Sequence, residues 1–261
     1  MKLVRFGPEG LFAAAEEGEP YRVLYSDPFD TRPGGWEFGR ELAPENLKLL
    51  APIRPGKILG IGRNYKEHVQ ELQNPMPSEP VLFLKAPSSV IGPNAPIVLP
   101  PESSRVEFEG EVAVVLRGRL TRATTQQARD AVLGVLAACD VTARDLQKKD
   151  PCFSRAKSFD SFCPLGPAVL IDPDLDDLEV ATRINGVERQ RGHVRDMSWG
   201  IVEQLVYASR MMTLEPGDVI LTGTPSGVGP LADGDRVEVE VAGVGVLTNP
   251  VEAFRRHDVV D

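Results

Sequence analysis

The 261-residue sequence has few cysteines and no long apolar run, and both shortages exclude classes of protein. Its three cysteines, Cys139, Cys152 and Cys163, lack the C-x-x-C spacing of a zinc site and the density of a disulfide scaffold. We interpret them as small core residues. No stretch approaches the roughly 18 apolar residues of a membrane helix, and the first residues lack the apolar segment of a secretion signal. The sequence therefore predicts a cytoplasmic protein without a membrane partner.

Positive charge is also scarce. The chain has 29 Lys and Arg against 38 Asp and Glu, a net charge of -9. This balance repels a phosphate backbone, and no basic stripe interleaved with aromatics is present, so we expect no nucleic-acid partner. The hydrophobic fraction of 42% and the charged fraction of 26% are close to globular averages, which excludes disordered, collagen-like and coiled-coil chains.

Strand-like runs separated by turn signals recur along the chain and predict a mainly β, α+β protein with short helices. Two short runs, 2–6 and 21–25, joined through a Gly- and Glu-rich turn, precede a segment rich in Pro and Gly. We expect a boundary near residue 50, with a small N-terminal β domain at 1–50 and a catalytic domain at 51–261. The later strand-like runs are 57–61, 81–85, 106–116, 132–140, 167–171, 179–184, 218–222 and 236–242.

Helical periodicity is clearest over 198–212, behind a Ser198 cap. Asn185-Gly186 predicts a hairpin turn, because both residues readily adopt positive φ. Shorter helices are expected at 65–72, 124–131 and 142–149.

The run 106–116 contains three alternating glutamates, Glu107, Glu109 and Glu111, and the period of 2 predicts that all three lie on one face of one strand. A solvated acidic face is an equally good interpretation of the glutamates alone. However, neighbouring carboxylates repel, and beside an apolar run they are tolerated mainly when a cation neutralises them. Oxygen ligands suit a hard ion such as Mg²⁺, Mn²⁺ or Ca²⁺.

Asp140 ends a second apolar run, 135–139. An acid at this point either binds a metal or lies at the start of a helix through Gln147, which Asp140 or Thr142 would cap. The local sequence leaves both alternatives open and slightly favours the cap.

His68 and Glu71 are three residues apart and would face each other on a helix. A carboxylate that orients an imidazole is typical of a general-base pair, but the same spacing is common on protein surfaces, and the local sequence favours that alternative. Lys157 and the loop around Thr224 could bind a carboxylate, although a lone lysine is usually solvated.

Taken in order, five blocks between about residues 57 and 250 resemble the fumarylacetoacetate hydrolase family. The blocks are Gly-x-Asn-Tyr-x-x-His, Phe-Glu-Gly-Glu-Val-Ala-Val-Val, Asp-Val-Thr-Ala-Arg-Asp-Leu-Gln, Lys-Ser-Phe-Asp with Pro-Leu-Gly-Pro, and Pro-Gly-Asp-Val-Ile-Leu-Thr-Gly-Thr-Pro. The resemblance implies a mixed β-roll core and a homodimer. It also implies that Glu109, Glu111 and Asp140 are the metal ligands, with Glu107 just outside them.

The resemblance further implies a role for five residues. His68 and Glu71 correspond to a catalytic pair on a lid, for which we expect residues 69–80, and Lys157 corresponds to a catalytic lysine beside the substrate. Gln147 and Thr224, together with Lys157, correspond to substrate-binding positions.

The N-terminal part is short, which favours the bacterial members that act on open-chain 2-oxo acids and dienoates. We expect a Mg²⁺-dependent enzyme, with Mn²⁺ or Ca²⁺ as alternatives, that stabilises an enolate of a small 2-oxo acid. The favoured reaction is isomerisation of 2-hydroxyhepta-2,4-diene-1,7-dioate in aromatic catabolism, with decarboxylation as a possible addition. Acylpyruvate hydrolysis and oxaloacetate decarboxylation remain alternatives. A non-catalytic, metal-stabilised module that binds a small acid is an alternative of another class, but it would need neither His68 nor Lys157.

Overall fold

The computed structural model describes residues 1–43 and 47–255 of the chain. Across these residues the protein is mainly β with short helices, which confirms the predicted fold class. None of the helices in the described part is long and apolar enough to cross a membrane. The predicted division into 1–50 and 51–261 stays a prediction, and its residues 44–46 and 256–261 lie outside the described residues.

The described residues form nineteen strands. In chain order they are β1 (Lys2–Phe6), β2 (Leu11–Ala15), β3 (Arg22–Leu24), β4 (Phe38–Glu41), β5 (Ile58–Gly62), β6 (Val81–Lys85), β7 (Val90–Ile91), β8 (Ile97–Leu99), β9 (Val106–Phe108), β10 (Gly110–Leu116), β11 (Val132–Cys139), β12 (Thr142–Ala143), β13 (Cys163–Ile171), β14 (Glu179–Ile184), β15 (Val187–His193), β16 (Val219–Leu221), β17 (Gly229–Pro230), β18 (Arg236–Val241) and β19 (Gly245–Ala253).

The same residues form five α-helices, with three-residue 3-10 turns at Pro33–Gly35, Pro87–Ser89 and Val194–Asp196. The helices are α1 (Lys66–Glu71), α2 (Thr125–Asp130), α3 (Arg144–Lys149), α4 (Ser154–Lys157) and α5 (Ile201–Met211). The predicted Ser198 cap of the last helix is wrong, because Gly200 is the N-cap. Residues 198 and 199 instead donate their backbone N–H groups to Asn64, which holds the chain extended until residue 200.

The largest sheet has the strand order β4-β3-β2-β1-β13-β11-β10-β16-β5-β6, with β7 paired to β13. Most neighbours are antiparallel, but β16 pairs with β5 in parallel, so the sheet is mixed. Within the described residues a second sheet has the order β15-β14-β18-β19-β8, and a third has the order β12-β9-β17.

Strands β10 and β11 lie in the middle of the large sheet, and each of their residues is buried. Alternation places Val112 and Val114 in a core shared with the second sheet and α5, whereas Ala113 and Val115 pack in a core that faces the N-terminal strands. A strand covered on both faces reads as a continuous apolar run, which is why this part of the sheet could be predicted.

The N-terminal strands extend this same sheet, because Leu3 of β1 pairs with Val169 of β13. The expectation that 2–6 and 21–25 are joined directly through a turn is wrong, since β2 lies between them. Its sequence, Leu-Phe-Ala-Ala-Ala, is weak as a strand signal because alanine is depleted in strands. The predicted Asn185-Gly186 hairpin is confirmed, with φ of 53° and 78° at the two turn residues.

Candidate active site

The predicted continuous strand 106–116 is interrupted at Glu109, where the chain passes from the three-stranded sheet into the large one. The expectation that three glutamates share one face of one strand is therefore wrong. Glu107 lies on β9 and turns to two arginines, accepting hydrogen bonds from Arg144 Nε at 2.7 Å and Arg105 Nε at 2.6 Å.

Glu109, Glu111 and Asp140 form a buried acidic cluster, in which one carboxylate oxygen of each residue lies within 4.8 Å of the others. Strand pairing brings them together, because Gly110 lies opposite Cys139 and the Asp140 N–H donates to the Glu109 carbonyl at 2.8 Å. Three carboxylates at this spacing fit a hard divalent cation. We call this cluster the carboxylate triad.

The structure also tests the helix-cap interpretation of Asp140. Helix α3 begins at Arg144, and its N-cap, Ala143, makes no side-chain capping bond. The carboxylate of Asp140 instead accepts from Lys85 Nζ at 2.6 Å and from Lys157 Nζ at 2.5 Å. The helix-cap alternative is therefore wrong.

Lys157 is 3% exposed, so the alternative of a solvated lysine is also wrong. Its ammonium group donates to Glu109 Oε2 at 2.8 Å and to Thr142 Oγ1 at 2.9 Å, besides Asp140. Burial alone would lower the pKa of Lys157, but the charges of Asp140 and Glu109 outweigh it and raise that pKa. The lysine is therefore positively charged within the site.

The charge of Glu109 is held by the same groups. Arg144 Nη2 donates to Glu109 Oε1 at 2.6 Å, while Lys157 bonds to the other carboxylate oxygen. Burial favours the neutral acid, but the charges of Lys157 and Arg144 outweigh it and lower the pKa of Glu109 well below its usual range. Glu109 is accordingly a carboxylate at any physiological pH.

Glu111 differs from the other two acids because no ion pair is formed with it among residues 1–43 and 47–255. One hydrogen bond to its carboxylate comes from the Gly223 backbone N–H at 2.7 Å. Burial, followed by the charges of Asp140 and Glu109, raises the pKa of Glu111 well above its usual value. A buried acid in this position keeps a proton unless further positive charge is supplied, and a divalent cation would supply it.

Glu109 and Lys157 also line a cavity of about 450 Å³. Further lining residues include Arg63, His68, Arg144, Gln147 and Phe153. A larger groove, about 680 Å³, lies beside α5 at Trp199 and Tyr207, but none of the predicted site residues lines it. We assign the candidate active site to the smaller cavity, because the charged groups converge there.

His68 and Glu71 lie on α1 as predicted, with 3.3 Å between Nδ1 and Oε2. His68 is buried, and Glu71 also accepts from the Gly227 N–H at 3.0 and 3.1 Å to its two oxygens. Gly227 has φ of 102°, and a Cβ there would lie 2.0 Å from the Arg189 carbonyl oxygen, so this backbone approach requires glycine. The catalytic role of the pair stays a prediction.

The two predicted substrate-binding residues are placed differently. Gln147 lines the cavity, and its Oε1 accepts from Arg144 Nη1 at 2.7 Å. Thr224 is buried and does not line the cavity, and its hydroxyl donates to the Gly110 carbonyl at 2.8 Å while accepting from Gln190 Nε2 at 2.8 Å. Their contact with substrate stays a prediction.

Sequence reasoning missed several buried polar residues, among them Arg144, Lys85 and Gln190. Lys85 had a usable signal: it ends the strand Val-Leu-Phe-Leu-Lys two residues after Phe83, so the period of 2 places it on the buried face. Gln190 had none, because its strand, Val187–His193, is polar and mostly exposed.

Comparison with known proteins gives a consistent picture. The sequence profile of the fumarylacetoacetate (FAA) hydrolase C-terminal family matches residues 57–252. A curated relative, the mitochondrial oxaloacetate tautomerase FAHD2A of Bos taurus, is 40% identical over 225 residues, covering 80% of this chain and 71% of the relative.

Solved structures agree over nearly the whole chain. The 5-carboxymethyl-2-hydroxymuconate delta-isomerase of Mycobacterium smegmatis superposes with a TM-score of 0.89 at 41% identity, covering 97% of this chain and 100% of that one. The 2-hydroxyhepta-2,4-diene-1,7-dioate isomerase of Mycobacterium marinum superposes with a TM-score of 0.86 at 39% identity, covering 97% and 98%.

Proposed function

The chain is an enzyme of the fumarylacetoacetate hydrolase family, and from that premise we propose that it isomerises a small 2-oxo or 2-hydroxydienoic acid with the help of a divalent metal. The favoured substrate is 2-hydroxyhepta-2,4-diene-1,7-dioate, an intermediate of aromatic catabolism. One observation carries the proposal: three buried carboxylates converge beside a buried lysine, and one of the three, Glu109, lines the same cavity as Lys157 and as His68, whose imidazole is paired with a carboxylate.

Glu109, Glu111 and Asp140 would hold the metal, for which we propose Mg²⁺, with Mn²⁺ or Ca²⁺ as alternatives. A divalent ion bound there would polarise the 2-oxo group and stabilise negative charge on its oxygen. Lys85, Lys157 and Arg144 orient Glu109 and Asp140. The carboxylate of Glu111, which these cations leave unpaired, is the one that most needs the ion.

His68 would move the proton. Its Nδ1 is paired with Glu71, so the other ring nitrogen, Nε2, is the atom left to exchange a proton with substrate. In the isomerisation an enol O–H bond breaks, a C–H bond forms on the carbon chain, and the double bonds shift, so no atom is gained or lost.

Lys157 and Gln147 would act on the substrate from the cavity wall. The three N–H donors of Lys157 are all used by Glu109, Asp140 and Thr142, so the lysine acts on the substrate oxyanion through its charge. In a water-poor site such electrostatic stabilisation is worth about 3 kcal/mol.

The names of the relatives support proton transfer over cleavage of a carbon–carbon bond. Two of the solved structures are named isomerases and the bovine relative is named a tautomerase. Tautomerisation of oxaloacetate is therefore the second candidate. Acylpyruvate hydrolysis and decarboxylation of oxaloacetate fit the same cavity but have less support, and a purely structural metal site would need neither Lys157 nor His68.

The assay we propose follows ultraviolet absorbance of the purified protein with Mg²⁺, on hydroxydienoates, oxaloacetate and acylpyruvates. Mg²⁺-dependent isomerisation, faster than hydrolysis or decarboxylation, is the expected result. No turnover of any of these acids with Mg²⁺ or Mn²⁺ would overturn the proposal.

An inhibitor pair separates the enzyme from a non-catalytic metal protein. Oxalate presents two adjacent oxygens like those of a 2-oxo acid and forms a smaller chelate ring than malonate, so it should bind more tightly. Thermal-shift titration of both diacids with and without Mg²⁺ measures this. Equal binding, or binding that does not need the metal, would favour the small-acid binding module.

We also propose a homodimer. Strand β6 is an edge of the large sheet, and Leu84 on this strand is 45% exposed. A second exposed apolar side chain is Met211, the last residue of α5, which is 56% exposed. Edge strands with exposed apolar side chains are normally covered. Sedimentation should show twice the chain mass, and a 28.4 kDa species at micromolar concentration would contradict the dimer.

A further inference from the structure

The backbone of Gly110, between Glu109 and Glu111, forms hydrogen bonds with side chains from distant parts of the chain. Gly110 N–H donates to Gln190 Oε1 at 3.0 Å, and the Gly110 carbonyl accepts from Thr224 Oγ1 at 2.8 Å. The two glutamates on either side of Gly110 both belong to the carboxylate triad. The contacts that fix the Gly110 backbone therefore influence the distance and orientation between the Glu109 and Glu111 carboxylates.

Gln190 is the centre of this arrangement. It is 1% exposed, and its Nε2 donates to Thr224 Oγ1 and to the Pro225 carbonyl, both at 2.8 Å. The side-chain bonds close a ring from Gly110 N–H through Gln190 and Thr224 to the Gly110 carbonyl. Gln190 Oε1 and Nε2 bond to Gly110, Thr224 and Pro225 and not to the triad, and Gln190 does not line the cavity, so we assign it neither a ligand nor a catalytic role.

Side chains also pack closely against Gly110. A Cβ at this position would lie 1.8 Å from Thr182 Oγ1 and 3.4 Å from Gln190 Oε1. Thr182 and Gln190 are cross-strand partners on β14 and β15, where the register shifts after Thr182. The second sheet thus packs Thr182 and Gln190 against the backbone of Gly110, which joins two of the three proposed ligands.

We propose that Gln190 is a positioning residue for the candidate metal site, because it fixes the Gly110 peptide and with it the separation of the Glu109 and Glu111 carboxylates. The inference rests on the proposed metal dependence and adds to it a determinant of affinity outside the ligand set. Residues that orient metal ligands typically contribute 10- to 100-fold in affinity or activity.

The test is Gln190→Met, which keeps the side-chain length and removes its hydrogen bonds. Isothermal titration with Mg²⁺ or Mn²⁺ should show metal affinity weakened by about 10- to 100-fold. The matched control is Asn249→Leu, a buried amide that donates to the carbonyls of Gly92 and Ala95 and to none of the site residues. The control should lower Tm comparably and leave the metal affinity unchanged.

A second variant tests what the proposed role of Gln190 requires, namely that the position of the Gly110 backbone controls metal binding, and unchanged metal affinity in Gly110→Ala would overturn the inference. Gly110→Ala should abolish metal binding, and Thr182→Ala added to it should restore part of it, because the second change removes the clashing hydroxyl. Among the residues that the structure describes, none forms a hydrogen bond with that hydroxyl, so Thr182→Ala alone should cost little stability.

Two outcomes are decisive. Metal affinity unchanged in Gln190→Met, or lowered equally in Asn249→Leu, would overturn the inference while the proposed function stands. No metal binding by the unaltered protein, in the same titration, would overturn the metal proposal and this inference together.

Discussion

Glu109 of the carboxylate triad and His68 of the His68–Glu71 pair line the same cavity, but the triad and the pair are built in opposite ways. The triad lies where the chain passes from the three-stranded sheet into the large one, and its partners Lys85, Lys157 and Gly223 come from distant parts of the chain. The pair lies on a six-residue helix, three residues apart, and Glu71 is joined to a distant part of the chain through the Gly227 N–H. The difference teaches that the proposed metal binding and the proposed proton transfer depend on separate parts of the structure.

The largest effect should come from breaking the triad. Asp140→Asn should abolish metal binding and lower activity by roughly 10³-fold or more, as expected when the Lewis acid is lost. It also leaves Lys85 and Lys157 with less compensation, so unfolding free energy should fall by about 3–5 kcal/mol. Metal titration, kinetics and thermal unfolding measure these effects.

The control for this variant is Asp130→Asn, an exposed aspartate that accepts from Gln126. It should behave like the unaltered protein. Retention of tight metal binding by Asp140→Asn would remove Asp140 from the ligand set.

Removing the His68–Glu71 pair should leave metal binding by the triad unchanged. His68→Ala should lower kcat by about 10²-fold or more, the usual contribution of a general base, with metal affinity retained. His193→Ala is the matched control, because His193 pairs with Asp177 away from the cavity. Loss of metal binding in His68→Ala would make His68 a ligand and erase the distinction between the two regions.

Glu111 differs from the other two members of the triad in its raised pKa, and the pH dependence of stability should show this difference. Because the pKa of Glu111 is raised in the fold, the folded protein retains a proton that the unfolded chain releases above about pH 4.5. Stability of the metal-free protein should therefore fall as pH rises toward the folded pKa, by up to about 1.4 kcal/mol for each unit of pKa shift.

Thermal unfolding from pH 5 to 8, with chelator or with Mg²⁺, tests this. Glu111→Gln should remove that part of the pH dependence and raise the Tm of the metal-free protein by about 2–4 °C per kcal/mol, while losing the response to Mg²⁺. A Glu111→Gln protein that is less stable than the unaltered one at pH 8 without metal would contradict the assignment.

The smallest effect should come from the proposed lid, residues 69–80. Tyr207 OH donates to Glu79 Oε2 at 2.5 Å and ties the end of this segment to α5. A single solvent-exposed hydrogen bond contributes little, so Tyr207→Phe should raise KM by less than about tenfold and leave kcat and metal affinity nearly unchanged. Tyr25→Phe, at a tyrosine 74% exposed, is the control, and a fall in kcat alone would argue against a lid.

Much of the fold could be predicted from local pattern. Strands buried on both faces, such as β10 and β11, read as apolar runs, and the Asn185-Gly186 turn was recognisable because its geometry needs positive φ. The strands β2 and β15 were missed, since alanine-rich and polar exposed strands carry weak periodic signals.

By itself the sequence determined the chemistry available: carboxylates two residues apart at Glu109 and Glu111, and an imidazole one helical turn from Glu71. Such short spacings survive any tertiary arrangement that keeps the local element. Only the tertiary structure decided that the strand breaks at Glu109, that Glu107 turns to arginines, and that Asp140 binds lysines rather than capping a helix. Those outcomes depend on strand register and on contacts between distant residues, which no local window of sequence contains.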